Sequence, residues 1–283
     1  MVTDQNAQKE TFVALERCLK KRFPFSLACP SFVYRAGYVD NVRHLAPFVD
    51  EIQLLFFESR RPESLPGPGL IRELRSLAVS HDITYQIHLP TDLFPGHPDK
   101  TERRHAVDTL QEIFHRCESL DPTTFTLHLN PNPESCFTLS FSEWKDHLVN
   151  TLERFLKTGI SGRRISIENV DNRLENVDDV IRCLDLSVCM DMGHLMACGF
   201  DVNPFWQQWK QRVSVLHLHG VEGKKDHLPL DRLSPLLTEQ VMKVLKTFAG
   251  SVTLEVYSRD ALTASMKWIN KRWRQVRISG SKS

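Results

Sequence analysis

The chain has 283 residues, 41% of them hydrophobic and 25% charged, the proportions of an ordinary globular protein able to bury one large α/β core. Its 36 basic and 35 acidic residues leave a formal net charge of +1, which excludes a broad basic field for holding polyanions nonspecifically. Seven cysteines without a C-x-x-C pair exclude a disulfide framework or a thiolate zinc site, and no stretch is apolar for long enough to span a membrane; reduced thiols in a cytoplasmic protein are expected.

Residues 1–22 lack an apolar signal core and are expected to form a helical extension ahead of a single domain over 23–283. The first apolar run, 25–33, is followed by the amphipathic segment 37–49. A second run, 51–58, leads into a Pro/Gly-rich stretch at 60–69 that reads as a rim loop. Further runs at 83–89, 125–130, 164–170, 187–194, 214–221 and 251–258 are rich in β-branched and aromatic residues. Segments such as 101–120, 141–159 and 234–250 carry apolar residues at three- and four-residue spacing and predict helices with one buried stripe. The basic residues Lys267, Lys271, Arg272, Arg274 and Arg277 read as a solvated helix end rather than a nucleic-acid patch. Several runs are almost continuously apolar, as parallel strands buried on both faces are. Eight strands, each followed by a helix, predict a (β/α)8 barrel.

The chemistry is concentrated where those strands end. Six of the twelve histidines, His88, His128, His194, His217, His219 and His227, lie at or just beyond a predicted strand end, with Glu58, Glu168, Asp191, Asp226 and Glu255 at the same side. That side of such a barrel is where active sites are built. Imidazoles and carboxylates without thiolates suit zinc, manganese or iron. A lone buried acid is costly, and a divalent cation removes the objection. Singly, His88 or His128 reads more readily as a satisfied histidine, and Glu168 equally as an ion-pair partner. Asp191-x-x-His194 is a stronger signal because it follows a strand, and Glu255 is a lone charge among apolar residues. Asp226-His227 reads as a loop pair or helix cap unless the neighbouring His217 strand draws it in. His219 is either a donor to a ligand or a substrate contact, Glu58 a substrate contact or salt bridge, and Asn169 an orienting group for Glu168 or substrate. Lys224 and Lys225 read as solvated side chains, with a phosphate contact as the sharper alternative.

These residues, in this order, resemble the xylose isomerase-like barrels, and among them the endonuclease IV-type apurinic endonucleases, over about residues 24–270. The resemblance implies one metal held by His88, His128 and Glu168, a second by Glu168, Asp191, His217 and Glu255, and a third by His194, Asp226 and His227. One departure stands out: those endonucleases place the loop acid two residues before the histidine, where this chain has Lys225. The segments 28–59, IHLPTDLF, ISIENVDN, VCMDMGHLMACG and DHLPL look like the cobamide-remodelling phosphodiesterases of the same superfamily. That likeness implies metal-dependent hydrolysis of the nucleotide-loop phosphodiester of adenosylcobalamin-like corrinoids, giving adenosylcobinamide phosphate and a lower-base riboside such as α-ribazole. It also implies Glu168, Asp191, His217 and Glu255 at the catalytic heart and two or three zinc, manganese or iron ions per chain. The rival readings are a sugar isomerase or epimerase with one metal, an apurinic endonuclease, and a corrinoid- or metal-binding protein without turnover. The sequence does not fix the oligomeric state.

Overall fold

The strands form where the apolar runs lie and take their hydrogen-bond partners from one another. The computed structural model describes residues 12–61, 65–129, 139–170 and 174–280. Seven parallel strands come first in the barrel: β1 (Ser26–Pro30), β2 (Glu51–Leu55), β3 (Thr84–His88), β4 (Phe125–Leu127), β5 (Ile165–Glu168), β6 (Ser187–Asp191) and β7 (Val213–Leu218). A short antiparallel hairpin follows, β8 (Gly220–Glu222) with β9 (Lys225–Leu228), and β10 (Ser251–Leu254) completes the barrel. The closed order is β1-β10-β7-β6-β5-β4-β3-β2, every neighbouring pair parallel. The expected (β/α)8 barrel is therefore the architecture. Pairing is thinnest between β3 and β4, where the register spans only Ile87 with Phe125 and His88 with Thr126.

Helices α1 (Tyr38–Leu45), α2 (Pro68–His81), α3 (Lys100–Cys117), α4 (Phe141–Leu156), α5 (Asp178–Cys183), α6 (Met192–Ala197), α7 (Val202–Trp209), α8 (Pro235–Leu245) and α9 (Arg259–Gly280) cover the barrel. Local chemistry starts several of them. Ser140 and Glu143 close a reciprocal capping box at the head of α4, Asp99 caps α3, and Ser234 caps α8 ahead of Pro235. The apolar stripe of α4 buries Trp144, Leu148, Leu152 and Phe155, positions four and three apart that share one helix face.

Inside the barrel, at the N-terminal end of the strands, Glu51 is buried and accepts hydrogen bonds from Thr84 Oγ1 and Gln86 Nε2, both at 3.1 Å, and from Thr123 and Ser251 hydroxyls. An uncompensated acid is thus stabilised there by neutral donors.

Three boundaries differ from the sequence reading. The helical extension predicted over 1–22 is not helical over 12–22, which runs as irregular chain held to the barrel by its buried Leu15 and Leu19; residues 1–11 lie outside the described residues. The rim loop predicted at 60–69 ends at Gly67, because Pro68 already occupies the first helical position of α2, where its missing N–H is no loss. The seventh run, 214–221, breaks at His219, and its tail turns into the hairpin. Among the described residues no helix is long and apolar enough to cross a membrane. Their six cysteines are all free thiols, and Cys136 lies outside them.

Candidate metal centre

His88 closes β3, Glu168 closes β5 and Asp191 closes β6, while His217 is the penultimate residue of β7. His128 and Glu255 stand one residue beyond β4 and β10. The Asp-x-x-His spacing has a local cause: Asp191 is the N-cap of α6 and accepts the His194 backbone N–H at 2.7 Å, so both side chains share one helix mouth. Asp226 and His227 arrive on β9, with His227 held at a positive φ of 50°.

These groups converge. Glu168 Oε2 lies 3.2 Å from His88 Nε2 and 2.9 Å from His128 Nε2, and its Oε1 lies 2.7 Å from His217 Nδ1. The same His217 nitrogen is 3.3 Å from Glu255 Oε2 and 3.9 Å from Asp191 Oδ2. His194 reaches Asp191 Oδ2 at 3.6 Å with Nε2 and Asp226 Oδ2 at 3.7 Å with Nδ1. His227 is 3.2 Å from Asp226 Oδ1 and 3.6 Å from Glu255 Oε2. Donor atoms of His88, His128 and Glu168 fall within 4.8 Å of one another, as do those of Glu168, Asp191, His217 and Glu255.

The donor set fits divalent cations. His88 Nδ1 lies 2.9 Å from the Leu89 carbonyl and donates to it, which leaves the Nε2 lone pair facing a carboxylate oxygen. Two electron-rich atoms side by side in a buried site need a cation between them, a proton or a metal ion. Asp191 Oδ2 is buried with no hydrogen-bond partner. Glu168, Asp191 and Glu255 are all buried, and among the described residues their ion pairs run only to histidines. Without metal, protons do the neutralising. Burial alone would raise the Glu168 and Glu255 carboxyls, yet the charge and hydrogen bonds of His217 and neighbouring imidazoles hold both well below the usual carboxylate range. Burial likewise opposes charge on His227, but Glu255 and Asp226 outweigh it and raise this imidazole to about 9. His217 is raised well above its ordinary value despite burial, because Cys189, Glu168 and Glu255 surround it.

His194, His219 and His227 also gather within 4.8 Å. His219 Nδ1, however, accepts the His227 backbone N–H at 2.9 Å, a shorter contact than its 3.3 Å approach to the Gly220 carbonyl. In the neutral ring Nε2 then carries the proton and faces Asp191 Oδ1 across 3.3 Å. His219 thus turns a ring N–H rather than a lone pair toward Asp191, and Asp226 is the acid beside His194 and His227. Asn169 accepts the Asp191 N–H at 2.8 Å and donates to the Asp191 carbonyl at 3.0 Å, so it locks the backbone of Asp191 rather than orienting Glu168. Glu58 is half-exposed and ion-paired with Arg61 at 2.7 Å, and Lys225 is exposed at the start of β9.

Two further residues belong to the centre. Gln53, buried on β2, sets its amide 2.7 Å from His217 Nε2, with its own Oε1 unpaired. A half-turn of that amide would let Oε1 accept Nε2–H and free the Nδ1 lone pair for a cation. Tyr257 donates to Glu255 Oε1 at 3.2 Å, and its ring lies 5.2 Å from that of His227. A polar glutamine inside an apolar strand was a legible signal for the first; two-residue spacing from Glu255 was the only one for the second. Gly193 is a third requirement: a Cβ there would sit 2.1 Å from the His219 ring. Gly193→Ala should lower stability in urea unfolding by roughly 1–3 kcal/mol, as overpacking does, and weaken metal binding; an unchanged midpoint would show that the ring has room to move.

The family model described as xylose isomerase-like TIM barrel matches residues 43–272. Among curated proteins, no sequence matches this chain. A crystal structure of a D-tagatose 3-epimerase-like protein superposes with a TM-score of 0.73 at 19% identity, covering 91% of this chain and 100% of that one. Endonuclease IV from Thermus thermophilus gives 0.65 at 18% identity, over 87% of this chain and 99% of its own. D-psicose 3-epimerase from Clostridium cellulolyticum, solved with D-tagatose, gives 0.64 at 13%, over 82% and 85%. At these identities the likeness is one of fold.

Proposed function

The chain belongs to the xylose isomerase-like TIM barrel family, and from that membership and its rim of ligands we propose that it is a metal-dependent phosphodiesterase. The observation that carries the reading is the number of donors at one mouth. A single-metal centre is served by Glu168, Asp191, His217 and Glu255; His88, His128, His194 and His227 would then be surplus, although the first two share Glu168 with that set at 3.2 and 2.9 Å. A phosphodiester presents two non-bridging oxygens and a leaving oxygen, which several cations can bind together. Bound divalent ions would supply the Lewis acidity, making water nucleophilic near neutral pH and stabilising charge that builds on phosphate oxygens. The chain's own contribution is positional. Glu168 spans two ligand sets with its two oxygens, Asn169 holds the Asp191 backbone, and Tyr257 donates to Glu255.

The finer proposal concerns the substrate. The likeness of the β1–α1–β2 region and the DHLPL segment to cobamide-remodelling phosphodiesterases supports a corrinoid, cleaved to adenosylcobinamide phosphate and a lower-base riboside. A formal net charge of +1 favours a small molecule over DNA. Metal analysis of the purified protein, coupled to product analysis after incubation with adenosylcobalamin, tests both levels. Roughly two to three ions per chain and release of α-ribazole are the expected results. One ion per chain with epimerisation of a keto-sugar would replace this reading with the epimerase one.

A further inference from the structure

Beside the metal rim, between α6 and α7, lies a cavity of about 380 Å³. Its walls are Val170, Leu195, Phe200, Pro204 and Phe205, with Cys198 at one side. His194 and Asn169 line it too, so the cavity and the metal centre share a wall. A group lodged there is within a few bonds of anything held by His194. The size is that of a small-ligand site, and the lining selects among ligands. A hydroxyl-rich sugar could reach Asn169, Glu175, Asp201 and Gln208, but its remaining hydroxyls would face phenylalanine, proline and leucine unpaired. A phosphate would meet the carboxylates of Glu175 and Asp201, which also line the opening. A flat aromatic ring meets neither objection and stacks on phenylalanine faces.

We propose that this cavity is a subsite for a planar heteroaromatic group, a base of one or two fused rings carried on the leaving-alcohol side of the phosphodiester. The placement relative to phosphorus rests on the phosphodiesterase reading; binding of the ring itself does not. The specificity consequence is that ring size and shape, rather than the corrinoid or phosphate, decide which substrates are accepted.

Cys198 provides the test, since it is exposed and lines the cavity, whereas Cys183 is exposed outside it. The purified full-length protein is alkylated with N-ethylmaleimide, with and without free benzimidazole, and modification is followed residue by residue by mass spectrometry. Benzimidazole at about four times its dissociation constant should slow alkylation of Cys198 about fivefold while leaving Cys183 unchanged. Phe205→Ala should abolish the protection. Should that variant fail to fold, Phe200→Ala, whose ring is 42% exposed, should weaken protection at least threefold, on the order expected for a lost stacking face. Equal slowing at both cysteines, no slowing at millimolar benzimidazole, or equal protection by ribose would each overturn the subsite. Protection of Cys198 in a protein that cleaves no phosphodiester would refute the reaction and keep the pocket; cleavage without protection would do the reverse.

Discussion

Glu168→Gln should reduce turnover at least about a thousandfold while leaving the unfolding transition of the chelated protein cooperative, because this one carboxylate joins two sets of candidate ligands. Its two oxygens meet His88, His128 and His217, which belong to different ligand sets. Glutamine keeps the shape but replaces one anionic oxygen with an amide NH2, which offers no lone pair to a cation and repels an imidazolium. Charge-stabilising groups in a dry site are each worth about a hundred- to a thousandfold, and this one serves two sets at once. Asp191→Asn should behave similarly, since its buried Oδ2 has no hydrogen-bond partner. Bound metal per chain should fall in parallel. Glu58→Gln is the control, an acid whose ion pair among the described residues is with Arg61, and should stay close to the parent rate. If Glu168→Gln and the control retained comparable rates, the centre would have no part in catalysis.

Chelation should make stability fall with rising pH, and reloading with zinc should reverse that trend. In the metal-free protein His217, His219, His128 and His227 are all raised above the ordinary imidazole value. Groups raised on folding contribute stability that is fully present below their unfolded pKa, about 6.5, and is lost as pH rises through the folded one, about 9 for His227. Glu168, Glu255 and Asp226 are lowered, so their contribution is present above the ordinary carboxylate range and fails only as pH falls through their folded values. The chelated protein should therefore be most stable between about pH 4.5 and 6.5. Metal ions need deprotonated imidazoles, so loading releases protons and its benefit grows with pH. At a zinc concentration a hundredfold above the Kd at pH 6 the rise in Tm there should be roughly 5–10 °C, and at that same concentration it should be larger at pH 9. A gap that shrank with pH would mean the histidines are not the ligands.

Much of the barrel was legible because its strands are buried on both faces. Stretches such as 54–57 and 188–190 are then wholly apolar, and a Glu or Asp directly beyond them stands out. Glu168, Asp191 and Glu255 were visible for that reason. What sequence alone does not yield depends on contacts between distant segments. The tautomer of His219 is set by a backbone N–H on the far arm of a hairpin that the apolar pattern of 214–221 conceals. Gln53 acquires its role only when β2 lies across the barrel from β7. Asn169 reads as a neighbour of Glu168, but its side chain crosses to the adjacent strand. The cavity between α6 and α7 joins side chains from three separate stretches and leaves no periodic trace.

The meagre pairing between β3 and β4 acquires a meaning from where the ligands hang. That seam of the cylinder is fastened by two register pairs, and each of its strands delivers one histidine to Glu168 on the strand beyond. A cation seated there would act as a clasp across the weakest stave joint. Occupancy of the centre and closure of the cylinder would then be linked equilibria, and a protein stripped of its ions would open along that line more readily than along any other.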